Sequence, residues 1–548
     1  MNIFDYIIVF GFLAATFYVG SIFYRWIGSS DDFYLAGRKL TPFILAAVIA
    51  ATNVNLYSFI GQAGVAYKEG IPIIWQTWTG NMALVFSGLF VIPVMRRLRI
   101  RTIPEFLEIR YNSTVRTLVA FLWVIRLTFW LGVVLYAAAI AAQTITGWDS
   151  FTAWVLIFSV VVIIYTMLGG MWSVAFTDVL QFVLMLGGAL VLLPIAMKSV
   201  GWWPGLESSL PKDFLVLVKS EGTYNWKFII AIFFLGIEWA CVDQGLLQRS
   251  FGAESTKSVA KGLVLAGIIT TPFALLWNLP GLVSRVLYPA LENADMAVPT
   301  LITDLVPNIV LGIILVGLIS SQFSTISGNL NGVATIFASD IYKNIFRKEA
   351  TDKNIIFIAR TVTIIAGLSM ILFAYLVPLM GGVVEAYLTV IAIMDMPLFI
   401  IGIFYGLLWK RANWQGAVAG YLSGAIIGAA ATFYYGLDFN STTFISAGAA
   451  LIITPLVSLI TKKTDYTKFE LINKAKHTSE EEIQTGHIYN IIPKTIKGKI
   501  SLGILLSGFL IFLTGVFLGS AGFVISSFIA VAGMVIYFIG GILRAYTN

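Results

Sequence analysis

Fifteen runs of apolar residues, most of them about 20 residues long, punctuate this chain and leave few folds open. A helix of that length crosses the roughly 30 Å hydrocarbon core of a bilayer, and in lipid only a helix or a closed barrel satisfies its own backbone. The runs fall near 4–26, 41–66, 73–95, 115–144, 150–170, 174–198, 226–248, 260–288, 305–340, 355–378, 382–408, 415–436, 441–460, 500–519 and 521–543. With 58% hydrophobic and only 11% charged residues, against about 25% charged in a soluble domain, the chain cannot coat an aqueous surface. One all-α polytopic domain in a lipid bilayer is expected. The first run is too long for a signal-peptide core and lacks a basic leader, so it reads as a membrane anchor.

The net charge of +7 does not point to nucleic acid, because the basic residues sit in short clusters between apolar runs. With the N-terminus outside, 28 of the 35 Lys and Arg lie on the inner side and six on the outer, with Arg126 inside a span. That asymmetry predicts an outer N-terminus and an inner C-terminus in the plasma (inner) membrane. The polar segment 462–499, with both histidines, reads as a solvated cytosolic connector. A single cysteine, Cys241, excludes an internal disulfide, and there is no nucleophile–base set or cofactor fingerprint, so an enzyme is not expected. The chain has no Gly-x-x-x-x-Gly-Lys-Ser/Thr loop, so energy for uphill transport would come from an ion gradient.

Ionisable groups within spans are costly and mark functional sites. Arg126, Asp178, Glu238 and Asp395 are four such groups, and their sum leaves two negative charges for cations to balance. The alternative is a structural pair between Arg126 and one of the acids. In Ala51-Thr52-Asn53-Val54-Asn55, two amides weaken a helix in mid-membrane, which frees carbonyls for a cation or places Asn53 and Asn55 at a helix interface. Ser320, Ser321, Ser324 and Thr325 share one helix face, with Ser327 nearby. Such a stripe serves either close packing or a hard monovalent ion.

Five strings together resemble the solute:sodium symporter family, which includes the sodium/glucose cotransporters. They are Asp32-Phe33-Tyr34-Leu35-Ala36-Gly37-Arg38, Arg101-Thr102-Ile103-Pro104-Glu105-Phe106-Leu107, Tyr165-Thr166-x-x-Gly169-Gly170-Met171-x-Ser173, Thr177-Asp178-Val179-Leu180-Gln181 and Ser339-Asp340-Ile341-Tyr342. The resemblance covers about 30–460 in order. It implies a leucine-transporter-like fold of two inverted five-helix repeats, 41–198 and 226–409, whose first helices break near Thr52–Asn55 and Gly236–Glu238. Around them lie an N-terminal helix and loop (1–40), an extracellular loop (199–225), two peripheral helices (410–461), the connector (462–499) and two C-terminal helices (500–548).

The same resemblance implies Na+ at the carbonyls of Ala51, Val54 and Ser321 and the hydroxyls of Ser324 and Thr325. A second sodium or coupling site would use Asn53, Asp178, Ser324 and Ser327. Asn53 and Gly328 stand where that pattern has hydroxyl residues, which leaves one or two ions per cycle open. Asp178→Asn is expected to damage coupling more than folding.

For the solute, the sugar-binding positions of the hexose carriers fall on Ser58, Thr77, Gly80, Gly236, Thr270 and Thr389, all shorter than the residues of that pattern, with an aromatic kept at Trp239. Asn55, Arg126, Glu238 and Asp395 complete the candidate substrate set. The expectation is import of a small polar solute, a sugar or polyol first, by sodium-coupled alternating access. A carboxylate such as sialate or a monocarboxylate on Arg126 is the runner-up, and a cationic or zwitterionic solute facing Glu238 and Asp395 a third. A transporter-like membrane sensor is the reading from another class. No obligatory protein partner is expected.

Overall fold

The computed structural model describes residues 2–22, 25, 27–380, 383–462 and 466–547. Among these the regular secondary structure is all helical, with two isolated bridges in place of any sheet. The long helices are α1 (Ile3–Ile22), α2 (Pro42–Asn53), α3 (Tyr57–Glu69), α4 (Ile71–Arg97), α5 (Ser113–Thr146), α6 (Phe151–Ser199), α7 (Trp226–Val242) and α8 (Gln244–Phe251). They continue as α9 (Thr256–Leu287), α10 (Val310–Phe346), α11 (Asp352–Ala374), α12 (Tyr387–Leu408), α13 (Trp414–Tyr434), α14 (Phe439–Ile460), α15 (Ile496–Ser520) and α16 (Ser526–Tyr546). Large apolar side chains face outward along them, such as Leu372 at 66% and Phe528 at 75% exposure, as a lipid solvent requires.

Two pairs are single spans bent in the middle: α2 with α3, at 47°, and α7 with α8, at 46°. They open the two stretches read as repeats, and paired interruptions in corresponding helices are the mark of such an architecture. The first break lies where Asn53 and Asn55 predict it. The second lies at Asp243 instead of Gly236–Glu238, because the Asp243 carboxylate caps α8 by accepting from Leu246 N at 3.0 Å and so ends α7.

Counting each bent pair once gives 14 helices long and apolar enough to span a bilayer among the described residues. The fifteenth expected run lies inside α6, whose 49 residues would extend roughly 74 Å as a straight helix, far more than one bilayer core. Gly170 divides it, with φ +51° and ψ −144°. Only glycine adopts this conformation readily, and a Cβ there would come within 2.6 Å of the Phe33 carbonyl.

Helix α1 is locked to the core by a buried acid. Asp5 Oδ1 accepts from Ile309 N at 2.7 Å and Gly312 N at 3.0 Å, so it caps α10, the helix that carries the hydroxyl stripe. Loss of such a cap costs about 1–2 kcal/mol. Asp5→Ala is therefore expected to lower the midpoint of thermal unfolding in detergent, and an unchanged midpoint would show that the cap is idle.

Segment 462–499, of which residues 463–465 lie outside the described residues, is largely exposed but also anchored to the bundle. It forms short helices at Thr467–Ala475 and Glu480–Thr485 and is bonded across one end of the bundle. Arg97, at the end of α4, grips Glu482 bidentately at 3.0 Å. Lys468 reaches the Tyr111 carbonyl at 2.8 Å, Lys476 the Leu407 carbonyl at 2.9 Å, and the Tyr489 hydroxyl the Leu89 carbonyl at 3.0 Å. Lys468 and Lys476 thus satisfy carbonyls at helix ends that the bundle leaves open.

Candidate functional site

At the break between α2 and α3 the helical ladder stops with Val54 N donating to Ala50 O, and the chain resumes with Ser58 N donating to Asn55 O. Val54 itself is extended (φ −101°, ψ 110°), so the carbonyls around it leave the helical register. Helix α10 lies directly opposite. Thr325 Oγ1 is 3.2 Å from Ser321 O and 3.5 Å from Thr52 O, and Gln322 Oε1 accepts from Leu56 N at 3.3 Å. The broken stretch of α2–α3 therefore meets the Ser321–Thr325 turn of α10 across one seam, and Ala51, Val54, Ser321, Ser324 and Thr325 are all buried. Unwound carbonyls and hydroxyls in mid-membrane are oxygen ligands suited to a desolvated sodium ion.

Next to this seam lies a cavity of about 100 Å³, in a measure in which one water needs about 10–15 Å³. Asn55, Ser58, Thr77, Arg126 and Trp239 line it, as the candidate substrate set requires. Further polar lining comes from Gln62, Gln76, Asp243 and Asn329, outside that set, and from Thr52, Asn53 and Thr325 at the seam. The two glutamines lie on the π-wound turn Tyr57–Gln62 and on α4, where the Gln76 amide bonds the Tyr57 hydroxyl at 2.7 Å. The Oδ1 atoms of Asn55 and Asn329 are buried without partners and are free to accept from a solute. Tyr57, Trp130 and Tyr387 pack ring to ring on one side, with centroids 4.4–6.0 Å apart. Such faces suit the C–H surface of a sugar or cyclitol.

Four candidate substrate residues do not line the cavity. Thr270 is spent on Asn81, its Oγ1 lying 3.0 Å from Asn81 Oδ1, and Asn53 Nδ2 donates to the same oxygen at 2.9 Å. Thr389, Glu238 and Asp395 lie outside the lining. Asp395 instead takes the Arg126 guanidinium through both oxygens, Nε to Oδ1 at 3.0 Å and Nη2 to Oδ2 in a short contact. The remaining Arg126 nitrogen, Nη1, is 3.4 Å from Asp243 Oδ2. The structural pairing of Arg126 is thus realised, with Asp395.

Asp178 is paired as well. Arg249 Nη2 and Nε approach its Oδ2 at 2.9 and 3.3 Å, and both side chains are fully buried. The same guanidinium donates to Gly245 O at 2.6 Å and Ser324 O at 3.2 Å. A Cβ at position 328 would overlap it, so Gly328 is what makes room for the cation. Of the four residues named for a second ion, Ser324 stays beside Asp178, Ser327 donates to Ser324 O, and Asn53 turns away to Asn81. The positive charge at Asp178 comes from the protein. Sequence reasoning missed Arg249, which follows the second break and reads as a loop cation, and Asp243, whose aspartate is itself a helix-start signal. With both included, two buried cations face four buried acids, and the net charge of these groups is still two negative.

Residues 33–424 match the model of the sodium:solute symporter family. The chain belongs to this family. It is similar to the sodium/glucose cotransporter of Vibrio parahaemolyticus, 29% identical over 434 residues that make up 72% of this chain and 78% of the relative. The sodium/myo-inositol cotransporter of Canis lupus familiaris is 26% identical over 452 residues, 73% of this chain and 62% of the relative. Among solved structures, a substrate-bound, outward-open Na+-coupled sialic acid symporter superposes with a TM-score of 0.77 over 85% of this chain and 99% of its own, at 22% identity. The fold is therefore leucine-transporter-like, and this symporter-family member is a multi-pass membrane protein of a family of transporters.

Proposed function

We propose that this sodium:solute symporter imports a neutral polyol or sugar, driven by sodium bound at Ala51, Val54, Ser321, Ser324 and Thr325. The observation that carries the choice of solute is the bidentate grip of Asp395 on Arg126. A carboxylate solute needs a guanidinium fork with free donors, and here Asp395 already takes the Nε/Nη2 fork while Asp243 stands on Nη1. A neutral solute needs many single donors and acceptors, and the cavity offers Asn55, Gln62, Gln76, Asp243 and Asn329 together with an aromatic wall. The relatives named for glucose and myo-inositol support the same class. The proposal keeps the N-terminus outside, with solute and sodium entering from that side, and one sodium per cycle, because Arg249 already supplies the charge at Asp178.

A ligand that binds only the folded state raises its stability. In a thermal-shift screen of the purified protein, hexoses, inositols and linear polyols, sialate, monocarboxylates and amino acids are compared in sodium and in potassium. Stabilisation by a polyol or sugar in sodium alone is expected. Stabilisation by an acid alone would overturn the reading and require Arg126 to leave Asp395.

A further inference from the structure

Around Arg126 in the cavity wall, three buried carboxyl groups surround one guanidinium among the described residues: Asp243, which lines the cavity, and Asp395 and Glu238, which do not. Asp395 and Asp243 occupy all three Arg126 nitrogens. Glu238, on α7 beside Trp239, is left without a donor: it is fully buried, and neither carboxyl oxygen has a hydrogen-bond partner. The charged groups acting on it are Asp395 from α12, Arg126 from α5 and Asp243 from the second break. The other titratable groups facing it are Tyr387, Tyr421 and Cys241. Tyr421 arrives from α13, outside the two repeats, and its buried hydroxyl is equally unpartnered.

An ionised carboxylate in such a place loses its hydration and gains no donor, whereas the protonated acid loses little and can itself donate. A single buried carboxyl group with no donor on either oxygen is a binding site for a proton. Resting on the sodium-coupled reading above, we propose that Glu238 is a proton-binding site which releases its proton when sodium binds and regains it when sodium leaves.

The step breaks and forms one bond. The Glu238 O–H proton passes to water admitted to the cavity, and the carboxylate left behind is matched by Arg126. Nη1 of Arg126 makes the longest of its three contacts, to Asp243, and carries a second N–H that can donate to the new carboxylate. Asp243 faces the cavity, where water and the arriving sodium compensate it. One positive charge enters the buried region as one leaves.

The test needs no solute. Sodium chloride or potassium chloride is added to the purified protein in weakly buffered solution with a pH-sensitive dye, and sodium affinity is measured across pH by thermal shift. The wild type is expected to release protons on adding sodium and not potassium. Its apparent Kd for sodium should rise as pH falls, approaching about tenfold per pH unit, the limit for one linked proton. Glu238→Gln should still be stabilised by sodium but release none and lose that pH dependence, and Glu238→Asp should restore proton release. Release of equal size from Glu238→Gln, or none from a wild type that sodium stabilises, would overturn the proposal while leaving sodium binding intact. If sodium stabilises neither protein, the sodium reading itself fails and this inference with it.

Discussion

Thr325→Ala is expected to weaken the apparent sodium affinity of transport by about 10- to 100-fold, since a hydrogen-bonding or ligating contact to a charged group is worth about 1.5–3 kcal/mol. Thr325 is buried on α10 with its hydroxyl between Ser321 O and Thr52 O, so it joins the two halves of the broken-helix seam. Thr325→Ala removes a methyl group along with the hydroxyl, and Thr325→Val, which keeps the methyl and the volume, should lose the same sodium affinity. Thr325→Ser keeps the oxygen and should stay close to wild type, while Ser324→Ala should behave like Thr325→Ala. Sodium dependence of uptake in vesicles measures all four. Wild-type sodium affinity in both alanine variants would remove the site from this seam.

The second large effect falls on folding. Asp178→Asn leaves the Arg249 guanidinium fully buried with no counter-charge, and breaking a buried pair at one partner costs about 3–5 kcal/mol. From sequence alone the same variant is expected to damage coupling more than folding. The pairing reverses that order, because Asp178 holds a side chain of the protein in place and not only an ion. The variant should give poorly folded or easily unfolded protein by size-exclusion profile and thermal midpoint. Asp178→Leu combined with Arg249→Met removes both charges and should recover much of the loss. An Asp178→Asn protein as stable as wild type would mean that Arg249 finds its compensation elsewhere.

What could be read along the chain was whatever depends on near neighbours. Apolar run length places the spans, and two asparagines two residues apart weaken α2 where it breaks. The Ser324–Thr325 pair falls on the face of α10 that meets that break. What could not be read were pairings across the fold. Arg126 and Asp395 are 269 residues apart, and Asp178 and Arg249 are 71 apart. Any of the buried acids could in principle have matched either arginine, and only the packing of α5 against α12 and of α6 beside α8 selects the partners. The sugar-contact positions show the same limit. Six of them are shortened, which read alone suggests lost polar contacts, yet Gln62, Gln76 and Asn329 bring polar groups to the same cavity from neighbouring turns. The connector shows the same limit: two of its lysines, Lys468 and Lys476, find carbonyls at helix ends remote in sequence.

The most direct measurement of the central claim is accumulation of labelled solute in vesicles reconstituted with the purified protein. With sodium outside only, a radiolabelled hexose or inositol should rise inside above its external concentration and fall back when an ionophore collapses the sodium gradient. A potassium gradient should give equilibration at most. Accumulation of sialate or a monocarboxylate with no accumulation of any neutral solute would contradict the account of the cavity. Solute-dependent conformational change without net accumulation of any solute would contradict symport itself.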